Sequence, residues 1–101
     1  MPAAVLSPRA RRDLLEAIAW IAKDNRPAAR GLRGAVVAAA KRLGELPQLG
    51  RVIPELAGEP VRFLPLTGYP YILVYDADLK PPLILRVLHG ARDLPDVLAN
   101  M

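Results

Sequence analysis

The sequence predicts an α+β fold: an N-terminal α-helical hairpin packed on a small, mainly antiparallel β-sheet, in the order β-α-α-β-β-β with a short C-terminal helix. Three observations predict it. In the first half, apolar residues recur at spacings of three and four in two runs separated only by a short polar turn. From Pro60 the period falls to two, in three short runs bounded by turn residues. At 101 residues the chain is too short for two independent cores, so both halves belong to a single domain, 1–101.

The elements follow in order. Ala3–Leu6 is short and apolar and reads as a first strand. Ser7-Pro8 then opens a helix, with Ser7 as N-cap and Pro8 at the first helical position, where a missing N–H costs nothing. Leu14, Ile18 and Ile21 form the apolar stripe of that helix, with Leu15 and Ala22 beside it. Arg9, Arg11, Arg12, Asp13, Glu16 and Lys23 lie off the stripe, and Trp20 lies at its edge. The helix should end near Asp24-Asn25. Pro27 restarts it, and Leu32, Val36, Ala39, Leu43 and Leu46 give a second seam at spacings of 4, 3, 4 and 3. So short a link between two helices requires an antiparallel hairpin. Gly31 and Gly34 would allow close approach to the first helix.

Leu46-Pro47-Gln48-Leu49-Gly50 stops the second helix, and Val52–Glu59 reads as loop. The strands Val61–Leu66, Tyr71–Asp76 and Leu83–Leu88 are joined closely enough to require an antiparallel meander. Pro65 belongs at an edge or bulge and Pro70 at a strand start. On the last strand, strict alternation sends Leu83, Leu85 and Val87 one way and Ile84, Arg86 and Leu88 the other. Both faces are then apolar. The hairpin covers one, and the other needs the C-terminal helix, capped by Asp93, or another chain.

Composition narrows the function. The chain has no cysteine and one histidine, His89, which excludes disulfide chemistry and an ordinary zinc site; no metal and no cofactor is expected. Its N-terminus lacks the long apolar core of a signal peptide, and no stretch reaches the roughly 18 apolar residues of a membrane span, so a cytoplasmic protein without membrane contact is expected. Net charge is +4, carried by eleven arginines and three lysines. Arginine grips phosphates and carboxylates, so a nucleic acid or an acidic protein segment fits as partner. The same arginine and alanine bias also follows from a GC-rich genome.

The segments LSPRARRDLLEAIAWIA, LPQLGRVIPEL, GYPYILVY and ILRVLHGARDL, in this order and around a proline-started second helix, resemble the toxins of the RelE/ParE superfamily. The likeness runs from Leu6 to Leu98. The LPQLGR link and the LRVLHGARD ending resemble the ParE branch more closely. The resemblance implies the toxin half of a type II toxin–antitoxin module, of the kind called plasmid-stabilisation proteins. A cognate antitoxin would hold it inactive through a C-terminal segment that folds around it, forming a hetero-oligomer that meets operator DNA only through the antitoxin. ParE toxins are described as arresting growth by acting on DNA gyrase; RelE toxins cut messenger RNA on the ribosome. A degenerate toxin that serves only in an antitoxin–DNA repressor complex is a third possibility.

Metal-free ribonuclease chemistry needs a proton-transfer group and cations around the phosphate. His89 and Arg92 supply part of this, with Arg92 matching the arginine that follows the last strand in RelE toxins. Arg62 is the only charge on its strand, however, and Ile72 stands where RelE toxins carry an arginine. No tyrosine follows Arg92. The sequence reading therefore expects inhibition by binding rather than catalysis. It places target contact at His89, Arg92 and Asp93, and antitoxin contact at Arg62, Tyr71, Tyr75 and Arg86. Plainer roles stand beside these. Arg86 would pair with an acid of the first or last helix, Arg92 with Asp93, and His89 would bond the backbone. Tyr69, Tyr71 and Tyr75 would be core and edge aromatics, and Arg9, Arg11 and Arg12 a solvated helix face.

Overall fold

The computed structural model describes residues 2–94. Strand β1 (Val5–Leu6) leads into helix α1 (Pro8–Ala22), which turns back into α2 (Arg26–Glu45). Strands β2 (Val61–Pro65), β3 (Tyr71–Asp76) and β4 (Leu83–His89) follow. The sheet order is β1-β4-β3-β2. β2, β3 and β4 form the expected antiparallel meander, and β1 joins β4 in parallel, pairing Val5 with Leu83 and Leu6 with Ile84. Pro65 ends β2, which is an edge strand, where its missing N–H leaves no ladder bond unmade. The helix expected from Asp93 onward falls largely on residues outside those described.

Both helix starts follow their capping chemistry. Ser7 Oγ accepts from the Ala10 N–H at 3.0 Å, and the same hydroxyl donates to the Leu85 carbonyl, so the cap also ties α1 to β4. Asn25 Oδ1 accepts from the Ala28 N–H at the start of α2. Leu32, Val36 and Leu43 of α2 are fully buried, each contributing roughly 1.5–3 kcal/mol of transfer free energy. With Leu14, Leu73, Tyr75, Ile84 and Val87 they make the core between hairpin and sheet.

The structure corrects four expectations here. The buried side of α1 is Ala10, Asp13, Leu14 and Ala17; Asp13 is inside, while Leu15 is 55% exposed. The small alanines let α1 lie close to β4, which brings Asp13 against the strand.

Second, the side chains of β4 do not alternate strictly. A register shift at Val74/Tyr75 leaves Tyr75 opposite Ile84 and Val74 opposite Arg86, so Leu85 is an extra residue. Ile84 and Val87 therefore both face the hairpin core, while Leu88 faces the other side.

Third, that other side is covered from within the chain. Phe63, Val74 and Leu88 pack under Ile53, Leu56 and Ala57 of the segment after α2, with Leu94 beside them. The segment is folded by an Ile53–Ala57 bridge and anchored by an Arg51–Phe63 bridge to β2. Fourth, Gly31 makes room for the Tyr69 hydroxyl rather than for α1, and a side chain at Gly34 would meet open space.

Candidate functional site

β4 organises the polar chemistry of the molecule. On α1, Asp13 points at its side. The Asp13 carboxylate takes Arg86 Nε at 2.8 Å and Nη2 at 3.2 Å, and also accepts the Val87 N–H at 3.0 Å. Its side chain is 6% exposed against 26% for Arg86, and Arg9 lies 3.6 Å away. The hydrogen bonds to Asp13 raise the Arg86 pKa above its ordinary value, more than burial lowers it. This is the helix–strand ion pair expected for Arg86, and α1 supplies the acid.

Two residues further along, the chain leaves β4 in a tight turn. The His89 N–H donates to Asp93 Oδ2 at 2.9 Å, and the Asp93 N–H returns to the His89 carbonyl. His89 Nδ1 accepts the Arg92 N–H at 3.0 Å. Its ring meets Tyr71 edge-on, with centroids 5.4 Å apart. Arg92 pairs with Asp93 at 3.0 Å while its side chain stays half exposed. Burial alone would raise the Asp93 pKa, but Arg92 and the His89 N–H hold it below the ordinary value. The turn thus joins His89, Arg92 and Asp93 as one unit at the surface. Sequence reading missed a fourth member: Trp20 of α1, whose ring lies 5.8 Å from the Arg92 guanidinium carbon and 5.0 Å from Lys23 Nζ. Its place at the edge of the α1 stripe was the available signal.

Of the other sequence candidates, Tyr71 touches this cluster through the His89 ring, and Tyr75, Arg62 and Arg86 lie apart from it. Tyr71 is 3% exposed and Tyr75 fully buried, so both rings belong chiefly to the core, as the plainer reading of these tyrosines expects. The Tyr75 hydroxyl donates to the Pro47 carbonyl at 2.7 Å and accepts from the Gly50 N–H at 2.8 Å, pinning the link after α2. Burial raises its pKa, opposed by the Gly50 bond and by Arg62. A Cβ at Gly50 would sit 2.7 Å from the Tyr75 ring, which is why that link needs a glycine.

Arg62 lies opposite Tyr75 and donates to the Gly50 carbonyl at 2.9 Å. His89 lies opposite Tyr71 on β4. Four residues along β3 and two strand spacings across separate Arg62 from His89, about 13 Å by about 10 Å. The structure does not bring Arg62 to the His89–Arg92 unit, so the set named for ribonuclease chemistry is not assembled.

A second surface lies on the hairpin. Between α1 and α2 runs a groove of about 520 Å³ with Leu14, Leu15, Val36 and Val37 along it, Leu15 and Val37 each more than half exposed. Arg11, Arg33 and Lys41 stand at its rim. Toward the hairpin turn a second hollow, lined by Leu15, Ile18, Arg26 and Arg30, continues it. Among the described residues no acidic side chain lines either, so this is a basic, apolar-floored trough.

A helical hairpin over a mixed four-stranded sheet, with a basic trough on one side and a cation–aromatic turn at the sheet's exit, defines the class: a small α+β protein. The fold matches a chain of the solved structure "Chromosomal ParDE TA system from P. aeruginosa" with a TM-score of 0.72, at 22% identity, over 88% of this chain and 96% of that one. A search of curated proteins finds no match. The family model described as "ParE toxin of type II toxin-antitoxin system, parDE" matches residues 4–94. The chain belongs to the ParE toxin family. Among the described residues, no helix is long and apolar enough to cross a membrane.

Proposed function

We propose that this protein inhibits DNA gyrase by binding it, through the His89–Arg92–Asp93 turn, and that a cognate antitoxin neutralises it in the cytoplasm. The observation that carries this reading is the exposed turn at the exit of β4 in a ParE-family chain: Arg92 is held by Asp93 yet half open to solvent. A guanidinium fixed by one carboxylate, with donors still facing outward, is ready to meet an acidic or carbonyl-rich partner without first losing its conformational freedom. The proton-transfer group His89 already accepts a backbone N–H through Nδ1, and Arg62 lies far from it, so binding accounts for the geometry better than RNA cleavage does.

The antitoxin belongs in the hairpin trough. Its floor, Leu15 and Val37, takes the apolar face of an amphipathic segment, and Arg11, Arg33 and Lys41 take its carboxylates. Arg62 and Arg86, each bonded within the fold, lie outside this trough. The complex is a hetero-oligomer that reaches operator DNA through the antitoxin.

A supercoiling and cleavage assay with purified gyrase tests the reading. Linear DNA trapped by the toxin, and lost when the antitoxin is added, is the expected result. Unaffected gyrase in a preparation that arrests growth would turn the assignment to the ribosome. Antitoxin binding with no growth arrest would leave only a repressor role. Arg92→Ala is expected to abolish inhibition while still binding antitoxin.

A further inference from the structure

We infer that Trp20 is an anchor of the target-contacting surface, inserting into an apolar pocket of a protein partner whose rim carries carboxylates. The inference deepens the binding reading above and rests on it. Trp20 is the only tryptophan of the chain, it is 60% exposed, and it is not among the described residues that form or pack against the hairpin–sheet core. A large indole left in water is costly unless a partner covers it, and tryptophan, tyrosine and arginine are the residues that dominate binding at protein interfaces.

Its surroundings are organised for such a role. Lys23 and Arg92 both lie over the ring, from α1 and from the turn after β4. These cation–π contacts limit the side chain's rotamers, so less freedom is lost when a partner closes over it. Beside the ring is a hollow of about 380 Å³, lined by Trp20, Asn25, Tyr69, Tyr71 and His89, where α1, the hairpin turn, the β2–β3 turn and the end of β4 converge. It is large enough for one side chain of the partner. Trp20 thus extends the His89–Arg92 surface onto a separate element, α1.

The same features select a protein over a nucleic acid. Two cationic groups occupy approaches to the ring that a stacked base would need. Asp24 lines the hollow and Asp93 flanks Arg92, so a phosphodiester backbone would meet like charge. A protein surface with separate carboxylates can address Lys23 and Arg92 while its apolar part takes the indole.

The test compares full-length wild type, Trp20→Ala and Trp20→Phe for growth arrest in cells, inhibition of purified gyrase, and antitoxin binding. Because Trp20 is exposed, Trp20→Ala is expected to melt like the wild type and bind antitoxin equally, yet lose about 30-fold or more in potency, the scale of a binding hot spot. Trp20→Phe should recover part of it. Equal potency of Trp20→Ala and wild type overturns the inference, as does parallel loss of antitoxin binding, which would make Trp20 a structural residue. Wild type that arrests growth but leaves gyrase untouched removes gyrase alone, and the growth-arrest comparison then decides the anchor. Wild type that does neither removes both. A single 19F resonance from 5-fluorotryptophan at this position should shift or broaden with the inhibited protein target, and be unmoved by DNA of any sequence; a shift with DNA alone would overturn the choice of partner.

Discussion

Two aspartate–arginine pairs stand along β4, and each carboxylate also takes a backbone N–H of that strand. Asp13 with Arg86 holds Val87; Asp93 with Arg92 holds His89. Their surroundings differ. Asp13 reaches the strand from α1, 6% exposed, at a separation of more than seventy residues. Asp93 is four residues from the group it bonds, and its arginine is half in water. The same chemistry therefore acts as architecture at one site, where breaking it strands a buried charge, and as presentation at the other, where it holds an exposed arginine in place.

The sharpest way to break this contrast is Asp13→Ala. It leaves Arg86 and the Val87 N–H without their acceptor and is expected to cost about 3 kcal/mol, the low end for a broken buried pair because Arg86 is partly exposed. Urea denaturation reads this directly, and a cost under about 1 kcal/mol would make the two pairs equivalent. Double-mutant cycles sharpen the same point: coupling between Asp13 and Arg86 should exceed about 1.5 kcal/mol, against under about 1 kcal/mol for Asp93 and Arg92.

A smaller effect appears in acid. The folded pKa of Asp93 is lowered, so its contribution is present above the unfolded carboxylate value and is lost as pH falls through the folded one, below about pH 4. Asp93→Asn should flatten that part of the stability–pH profile at a cost under about 1 kcal/mol near neutral pH. The smallest stability change belongs to Arg92→Ala, about 0.5 kcal/mol or less by thermal melting, alongside loss of inhibition.

Much of the fold was legible because it rests on local chemistry. Ser7-Pro8 starts the first helix where the Ser7 side chain reaches the third following N–H, Pro27 lies in the first turn of the second, and Pro47 with Gly50 follows its end; the Asn25 cap was not read from the sequence. The strands read correctly because turn residues bound each run. What failed was side-chain direction. One extra residue, Leu85, turned Ile84 and Val87 to the same face, and a bulge leaves no mark in an unbroken apolar run. The Ile53–Ala57 segment was read as plain loop because its covering role depends on contacts with Phe63, Val74 and Leu88, which its own pattern does not encode.

The candidate site divides in the same way. His89, Arg92 and Asp93 are neighbours in the chain, so their unit was visible from spacing, and Arg86 within an apolar run announced a buried partner. Trp20 joins them only when α1 lies across the end of β4, and Asp13 becomes that partner only at that crossing. How deeply Tyr71 and Tyr75 are buried was only partly legible, because a strand pattern says which residues share a face, not which face is covered. Sequence alone determined the elements, their order and the short-range turn, since capping, periodicity and turn preference act over a few residues. Tertiary structure decided which carboxylate is buried, which aromatic is exposed and where the trough lies, because those depend on how distant surfaces exclude water from one another.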